Sequence, residues 1–211
     1  MGGQAGGRTG RRAAAHPCSG AGRFRRRRIV CVVPAAVALL AAVASWPAAP
    51  AGASSATVAV NAGSLAFATT PPNVSFTATL TGLDKTVTAT QALDVSDATG
   101  SGAGWSLTAT STTLTTGGGT TLATTAVTVT SAPSSACDVG ATCVVATNGV
   151  SYPYALPAAA TAPAATKLFD AAANTGMGNL TATVTWSLTL PASTKVGTYT
   201  STWTISLASG P

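Results

Sequence analysis

Two groups of side chains in this sequence have types and spacing that could do chemistry: the carboxylates of Asp94 and Asp97, and the thiols of Cys137 and Cys143. Carboxylates three residues apart are candidates for an acid and base pair or for oxygen ligands of Ca²⁺. Asp also shapes turns, because its side chain bonds to nearby backbone amides. The glycine-rich residues 100–104 follow directly, so we expect a turn here and keep the catalytic or calcium pair as the alternative.

The two thiols are separated by five residues, and the other cysteines, Cys18 and Cys31, lie near the amino terminus. Two close cysteines in an oxidising compartment form a local disulfide. The alternative is a metal or redox pair. Residues 54–211 contain no histidine to complete a four-ligand zinc site, and the spacing is unlike a thioredoxin-type motif. We therefore predict a structural Cys137–Cys143 bridge and neither a metal site nor a cofactor.

Enzymatic function can be tested against the inventory of titratable residues. The single histidine is His16, and residues 54–211 contain neither Glu nor Arg. Serine nucleophiles in that part of the chain therefore lack a base that works near neutral pH. We predict that the protein is not an enzyme.

The amino-terminal region has the organisation of an export signal. All eight arginines lie in a basic n-region at residues 1–28, an apolar h-region covers residues 29–45, and residues 51–53 read Ala-Gly-Ala. This order is typical of a secretory signal peptide, and we expect cleavage after Ala53. A membrane anchor is the alternative, but the apolar run contains Pro34 and is short and weakly apolar for a bilayer core of ~30 Å.

Removal of the leader changes the charge of the chain. The whole sequence carries +6, whereas residues 54–211 contain three lysines and five aspartates, a net charge of −2. A mildly acidic chain without arginine lacks the cationic surface that phosphate backbones require, which excludes nucleic acid as a partner. The 158 residues that remain have the length of one domain. We expect this domain to be secreted and to have no membrane span.

Apolar residues alternate with Thr and Ser in several runs of residues 54–211, and this is the period of a strand with one buried face. The alternation argues against a disordered, O-glycosylated stalk. It predicts an all-β fold, an antiparallel β-sandwich of Ig-like two-sheet architecture, with the Pro/Ala-rich residues 153–166 as a long surface loop. The predicted strands cover residues 57–60, 65–68, 74–80, 86–89, 92–95, 105–110, 122–130, 143–146, 180–190 and 198–207.

Two triplets within these strands place Trp and an aliphatic residue on the same face: Trp105-Ser106-Leu107 and Trp203-Thr204-Ile205. Buried Trp is more often a packing anchor than a sugar-stacking platform, and we expect the core position. Both indoles would hold the sheets in register and shape a shallow binding surface beside them.

Residues 94–107 resemble the first signature of the WxL-domain family of Gram-positive cell-surface proteins, in which a V-x-D element and a glycine-rich turn lead into Trp-x-Leu. Residues 197–206, which include Tyr199, resemble the second signature, although Ile205 stands where the family has Leu. Under this resemblance Asp97, Gly102 and Gly104 form the structural turn, and the five signature residues are candidates for binding: Trp105, Leu107, Trp203, Ile205 and Tyr199.

The resemblance implies a secreted, non-catalytic domain at the cell surface that attaches noncovalently to cell wall peptidoglycan, with other surface proteins as further candidate partners. A different class of function stays open beside it. A Thr-rich sandwich can also be a structural or adhesive subunit that assembles with other surface proteins through edge strands or apolar patches.

Overall fold

The computed structural model describes residues 54–211, so the predicted leader lies outside the described residues. All regular elements in residues 54–211 are strands, and this part of the chain contains no helix that is long and apolar enough to cross a membrane. In chain order the strands are β1 (Leu65–Phe67), β2 (Lys85–Asp97), β3 (Trp105–Thr112), β4 (Thr115–Thr116), β5 (Val127–Val129), β6 (Ser134–Cys137), β7 (Tyr154–Ala155), β8 (Ala158–Ala159), β9 (Thr166–Ala171), β10 (Gly178–Leu190), β11 (Tyr199–Thr200) and β12 (Trp203–Ser209).

The first sheet is built around the antiparallel pair β2 and β10, each 13 residues long. They pair without interruption from Gly178 opposite Asp97 to Leu190 opposite Lys85. Along β10 the apolar residues at alternate positions are buried, as their period predicts. The strand order is β1-β2-β10-β5-β7, and β6 pairs with the other end of β10. The two strands predicted at residues 86–89 and 92–95 are therefore one strand.

The second sheet has β3 at its centre, with β12 on one side and β9 and β8 on the other. The pairs β3–β12 and β3–β9 are antiparallel, and the short β3–β8 pair is parallel. A small two-stranded sheet joins β4 to β11.

The apolar faces of the two main sheets form one core. Trp186 of β10 meets Trp203 of β12 edge-on, with ring centroids 4.8 Å apart, so the two sheets contact each other through their indoles. The most deeply buried large side chains come from both sheets: Leu93, Val95, Leu180, Val184 and Trp186 from the first, and Trp105, Leu107, Leu168 and Phe169 from the second. The predicted all-β sandwich is confirmed, with the β3–β8 pair as its parallel element.

Residues 70–80, which we call the strap, differ from the prediction of a strand at residues 74–80. The strap belongs to no ladder, although Val74 and Phe76 are half-buried against the core as the alternation indicates. Two side chains of β2 hold it instead: Gln91 Nε2 donates to the carbonyl oxygen of Pro72 at 2.7 Å, and Lys85 Nζ donates to that of Thr79 at 3.3 Å. Alternation of apolar and polar residues predicts only that one face of a segment is apolar. A segment becomes a strand of a sheet when the edge of another strand is also close enough for backbone hydrogen bonds.

Other strand predictions are wrong in part. Residues 57–60 and 143–146 form no strand, and of residues 122–130 only Val127–Val129 pair in a sheet. The prediction also missed β9, whose Lys and Asp interrupt the simple alternation.

The Pro/Ala-rich residues 153–166 are not simply a surface loop. Tyr154 and Leu156 are buried there, and the segment contributes β7 to the first sheet and β8 to the second. Carbonyl groups of Pro157 and Pro163 also accept hydrogen bonds from the hydroxyl groups of Ser111 and Thr110. Proline has no backbone N–H group to donate, but its carbonyl oxygen can accept a hydrogen bond. The segment therefore binds to β3 through its carbonyl groups.

Candidate functional site

The two tryptophan triplets lie on paired neighbouring strands. β3 carries Trp105-Ser106-Leu107 and β12 carries Trp203-Thr204-Ile205, and Leu107 stands opposite Leu207. Because the strands are antiparallel, Trp105 pairs with Ser209, and Trp203 lies six positions along the ladder, a distance of roughly 20 Å. The fold brings both signatures into one sheet and keeps the two indoles at opposite ends of it.

Trp105 is fully enclosed. Its ring is 0% exposed, lies 5.8 Å from the ring of Phe169, and donates its Nε1 proton to the carbonyl oxygen of Gly176 at 2.9 Å. Gly176 has a φ of 72°, and a Cβ there would overlap the indole nitrogen. Leu107 is equally buried. This end of the sheet offers no indole surface to a ligand.

The turn that precedes Trp105 closes the same end of the molecule. Asp97, which is buried, accepts hydrogen bonds from the amide and the hydroxyl of Thr99 at 3.1 and 2.6 Å. Gly102 and Gly104 have left-handed φ values of 65° and 73°. A Cβ on Gly104 would overlap the carbonyl oxygen of Ala171, so the backbone of the turn packs directly against the end of β9. The Asp97 carboxylate is occupied by the hydrogen bonds of this turn.

Trp203 has a different environment. It is half-buried, its neighbour Trp186 is fully buried, and Trp186 Nε1 donates to Gln91 Oε1 at 2.9 Å. Trp203 also lines an open cleft of about 950 Å³ between the strap and residues 194–205. We call this the Trp203 cleft. Ile205 and Tyr199 line it as well, so three of the five predicted signature residues meet there.

The lining of the Trp203 cleft combines aromatic, aliphatic and neutral polar groups. Phe76 from the strap, Tyr199 and Trp203 supply three aromatic rings. Of the described residues that line the cleft, Lys195 is the only charged one. The Tyr199 hydroxyl donates to the carbonyl oxygen of Lys195 at 2.9 Å, which fixes the loop that carries both residues. The remaining lining is aliphatic residues and prolines, several of them leucines, together with Thr, Ser, Asn, Gln and one glycine.

Gln91 is a further residue of the cleft lining, and it is not among the residues predicted from the sequence. It is 4% exposed and lies on the inward face of β2, in register with Leu93 and Val95. Its amide oxygen accepts from Trp186 and its amide nitrogen donates to Pro72, so it connects the core indole to the strap. The available signal was a lone polar side chain at an inward position of a strand, since a buried amide needs partners.

The alternative pair of Asp94 and Asp97 is not assembled as a catalytic or calcium site. Asp97 is committed to its turn, and Asp94 lies instead beside Asp138. Burial raises the pKa of Asp94 above 3.8, and the neighbouring Asp138 carboxylate raises this pKa further. Within residues 54–211 no group of three or more His, Cys, Asp or Glu side chains could hold a metal ion.

The predicted bridge between Cys137 and Cys143 is present, with the two Cα atoms 5.5 Å apart. It closes a loop whose next residue, Val144, exchanges backbone hydrogen bonds with the segment around Gly176. Cys143 also packs against Gly178. The disulfide therefore supports the enclosed Trp105 end of the sandwich, and neither cysteine lines the Trp203 cleft.

Comparison with known proteins gives one family. A family model described as WxL domain, surface cell wall-binding, matches residues 55–211. No curated protein and no solved structure matches the chain. The matched residues include both tryptophan triplets, the turn before the first and the whole of the cleft lining, and they make up most of the chain. The chain therefore belongs to the WxL domain family of surface cell wall-binding domains, which places it at the cell surface in association with the wall.

Proposed function

We propose that residues 54–211 attach noncovalently to cell wall peptidoglycan without catalysing a reaction, and that the Trp203 cleft is the contact surface. The observation that supports this most directly is the composition of the cleft. It sets Phe76, Tyr199 and Trp203 among hydroxyl and amide groups, and none of the described lining residues carries a carboxylate. Aromatic rings surrounded by neutral hydrogen-bonding groups are suited to reversible binding of a polar, ring-containing ligand.

The positions of the carboxylates support the non-catalytic part of the proposal. None of the five aspartates in residues 54–211 lines the cleft. Four of them accept hydrogen bonds from neighbouring loops and strands: Asp84 from the amide of Ala192, Asp97 from Thr99, Asp138 from the hydroxyl of Thr181, and Asp170 from the amide of Gly149. These groups stabilise turns and loops, and they lie outside the lining of the surface that we assign to the wall.

A sedimentation experiment tests the attachment. The exported protein is mixed with purified peptidoglycan sacculi, pelleted, washed, and released with a chaotrope. We expect the protein to pellet and to be released with unchanged intact mass, because the binding is noncovalent. A mass increase equal to a wall fragment would contradict noncovalent attachment, and the appearance of soluble muropeptides would contradict the absence of catalysis.

The leader is part of the same proposal. If residues 1–53 are removed during export, the protein recovered outside the cell should begin at Ser54. Amino-terminal sequencing of that protein measures the cleavage position. Retention of the uncut chain inside the cell would overturn the proposed route to the wall.

The second candidate function is a structural or adhesive subunit that assembles with other surface proteins. Val58 and Val60, at 86% and 88% exposure, favour it, because they lie on an unpaired segment ahead of β1. Unpaired apolar segments can dock on the edge of another sheet. Replacing both with Ser should abolish co-purification with a partner surface protein and leave sedimentation with sacculi intact, whereas Val139→Ser, on an exposed loop, is the matched control.

A further inference from the structure

We infer that the Trp203 cleft takes the glycan strand of the wall, a chain of N-acetylated sugars, and takes neither the peptides of the wall nor its anionic phosphate polymers. This inference rests on the proposed function and specifies the chemistry of the same surface. It follows from the shape of the cleft, the types of its lining side chains and the charge around it.

The shape fits a chain of rings. The cleft measures about 950 Å³ and opens to solvent between the strap and residues 194–205. This volume lies near the upper end of the roughly 300–1,000 Å³ that is usual for ligand sites. An open groove of this size accommodates several sugar rings of a polymer whose ends extend beyond the protein, as attachment to a continuous wall requires.

The side chains fit sugars with N-acetyl groups. A pyranose ring has an apolar face of C–H groups, which packs on aromatic rings such as those of Phe76, Tyr199 and Trp203. Its hydroxyl and acetamido groups need neutral donors and acceptors, and Asn73 and the threonines of the rim supply them. The acetyl methyl groups require an apolar surface, and the leucines of the lining provide one.

The charge distribution argues against the other wall components. A phosphate polymer is bound by several cations together, but Lys195 is the one cation among the described lining residues and residues 54–211 carry −2. Wall peptides carry free amines as well as carboxylates, and within residues 54–211 no carboxylate lines the cleft to pair with an amine. A ligand without formal charge needs neither several cations nor a carboxylate, so it is compatible with this lining.

Gln91 helps to hold the strap in place. The strap forms no ladder, and the hydrogen bond from Gln91 Nε2 to the Pro72 carbonyl oxygen is one of the two side-chain ties from β2 that hold it. The other end of the same amide is held by Trp186, which is fully buried. The strap that carries Phe76 is thus tied to the buried core, which lowers the cost of ordering the cleft when a ligand binds.

The test titrates the exported protein with three probes: the uncharged hexamer of N-acetylglucosamine, a synthetic wall pentapeptide and poly(glycerol phosphate). Tryptophan emission and calorimetry report binding. We expect binding of the hexamer alone, with an affinity that changes less than twofold between 50 and 500 mM salt, because no ion pairs form. Binding of the pentapeptide alone, or of poly(glycerol phosphate) with steep salt dependence, would overturn the inference.

Two matched pairs of variants locate the site. Phe76→Ala is compared with Phe67→Ala, since both rings are half-buried against the core and Phe67 lies outside the cleft lining. Asn73→Ala is compared with Asn61→Ala, because both side chains are exposed and Asn73 alone of the two lines the cleft. We expect about tenfold weaker hexamer binding for the cleft variant of each pair, as for truncation of a central contact, and no change for its control.

The outcomes separate this inference from the proposed function. If Phe76→Ala and Asn73→Ala still bind the hexamer like the parent, or if the parent sediments with sacculi and ignores the hexamer, the glycan assignment fails while wall attachment stands. If the parent does not sediment with sacculi, both fail. Asn73→Ala keeps the test valid in the event that Phe76→Ala does not fold, because the Asn73 side chain is exposed.

Discussion

The two ends of the β3–β12 pair carry the same type of triplet and present it in opposite ways. At one end Trp105 has no exposed surface, and Gly176 accepts the proton of its indole nitrogen. At the other end Trp203 is half-buried and forms part of an open cleft. A repeated motif therefore does not imply a repeated role. The first triplet closes the sandwich, and the second supplies the surface to which we assign binding.

The difference comes from the neighbours of each strand. β3 is the central strand of its sheet, and Trp105 is covered by β9 and by the segment that contains Gly176. β12 is the outermost strand, and what lies across from Trp203 is the strap, which is tied by side chains and not by a ladder. Central strands bury their side chains more completely, whereas an edge strand leaves room for a groove.

Replacing Trp105 with Ala should have the largest effect on stability. The ring is fully buried, so its removal leaves a cavity and an unpaired Gly176 carbonyl group, at an expected cost of about 3–5 kcal/mol in the free energy of unfolding. Trp203→Ala should cost less, because this side chain is only half-buried, and should abolish hexamer binding. Urea unfolding and sugar titration of both variants measure this; equal stability losses would remove the contrast between the two ends.

Gly104→Ala should come next, at about 3 kcal/mol, because the added Cβ meets the Ala171 carbonyl oxygen and the backbone is left-handed. Gly119→Ala separates these two causes. Gly119 has a φ of 80° and open space around it, so its substitution should cost about 1 kcal/mol. Thermal unfolding of both variants gives the comparison, and equal shifts in Tm would mean that close packing at the turn contributes nothing.

Gln91→Leu tests the connection between the core and the cleft. It leaves Trp186 Nε1 and the Pro72 carbonyl group without partners, for which we expect a loss of about 2 kcal/mol and weaker hexamer binding. Thr90→Leu, at the adjacent solvent-facing position of β2, is the control and should change stability by less than about 0.5 kcal/mol. If Gln91→Leu loses stability and keeps full affinity, the strap does not depend on this hydrogen bond.

The double variant Cys137→Ser, Cys143→Ser should lose about 2 kcal/mol, because the bridge closes a loop with a sequence separation of only 6. Hexamer binding should be unchanged, since the bridge supports the Trp105 end. A reductant should shift the denaturant midpoint of the parent towards that of the double variant and have no effect on the variant itself. Loss of sugar binding on reduction would show that the two ends are coupled.

The smallest effect is expected for Asp94. Burial raises the pKa of Asp94 in the folded state above 3.8, and the Asp138 charge raises this pKa further. Folding therefore favours the protonated form of Asp94. The stability that this protonation contributes is fully present below pH 3.8 and is lost as the pH rises through the folded pKa. The stability of Asp94→Asn relative to the parent should therefore increase as the pH rises above 3.8. Asp138→Asn should reduce the same pH dependence. A constant difference between parent and Asp94→Asn across this range would rule out a raised pKa.

Local pattern predicted much of the fold. The period of two in residues 180–190 gave the buried face of β10, the spacing of Cys137 and Cys143 indicated the bridge, and the ordered signatures indicated the family. It failed where pairing depends on distant neighbours. The strap alternates as a strand does and has no ladder, and the proline-rich residues 153–166 pair in two sheets.

The sequence by itself determined that this chain is an all-β cell-wall-binding domain, because strand period and signature residues are local properties of the chain. The tertiary structure alone decided which tryptophan is enclosed and which is open. That outcome depends on strand order, on the side-chain ties of the strap and on Gln91, whose partners Trp186 and Pro72 are 95 and 19 residues away. Exposure is a property of neighbours in space, and a strand's own residues do not specify what covers them.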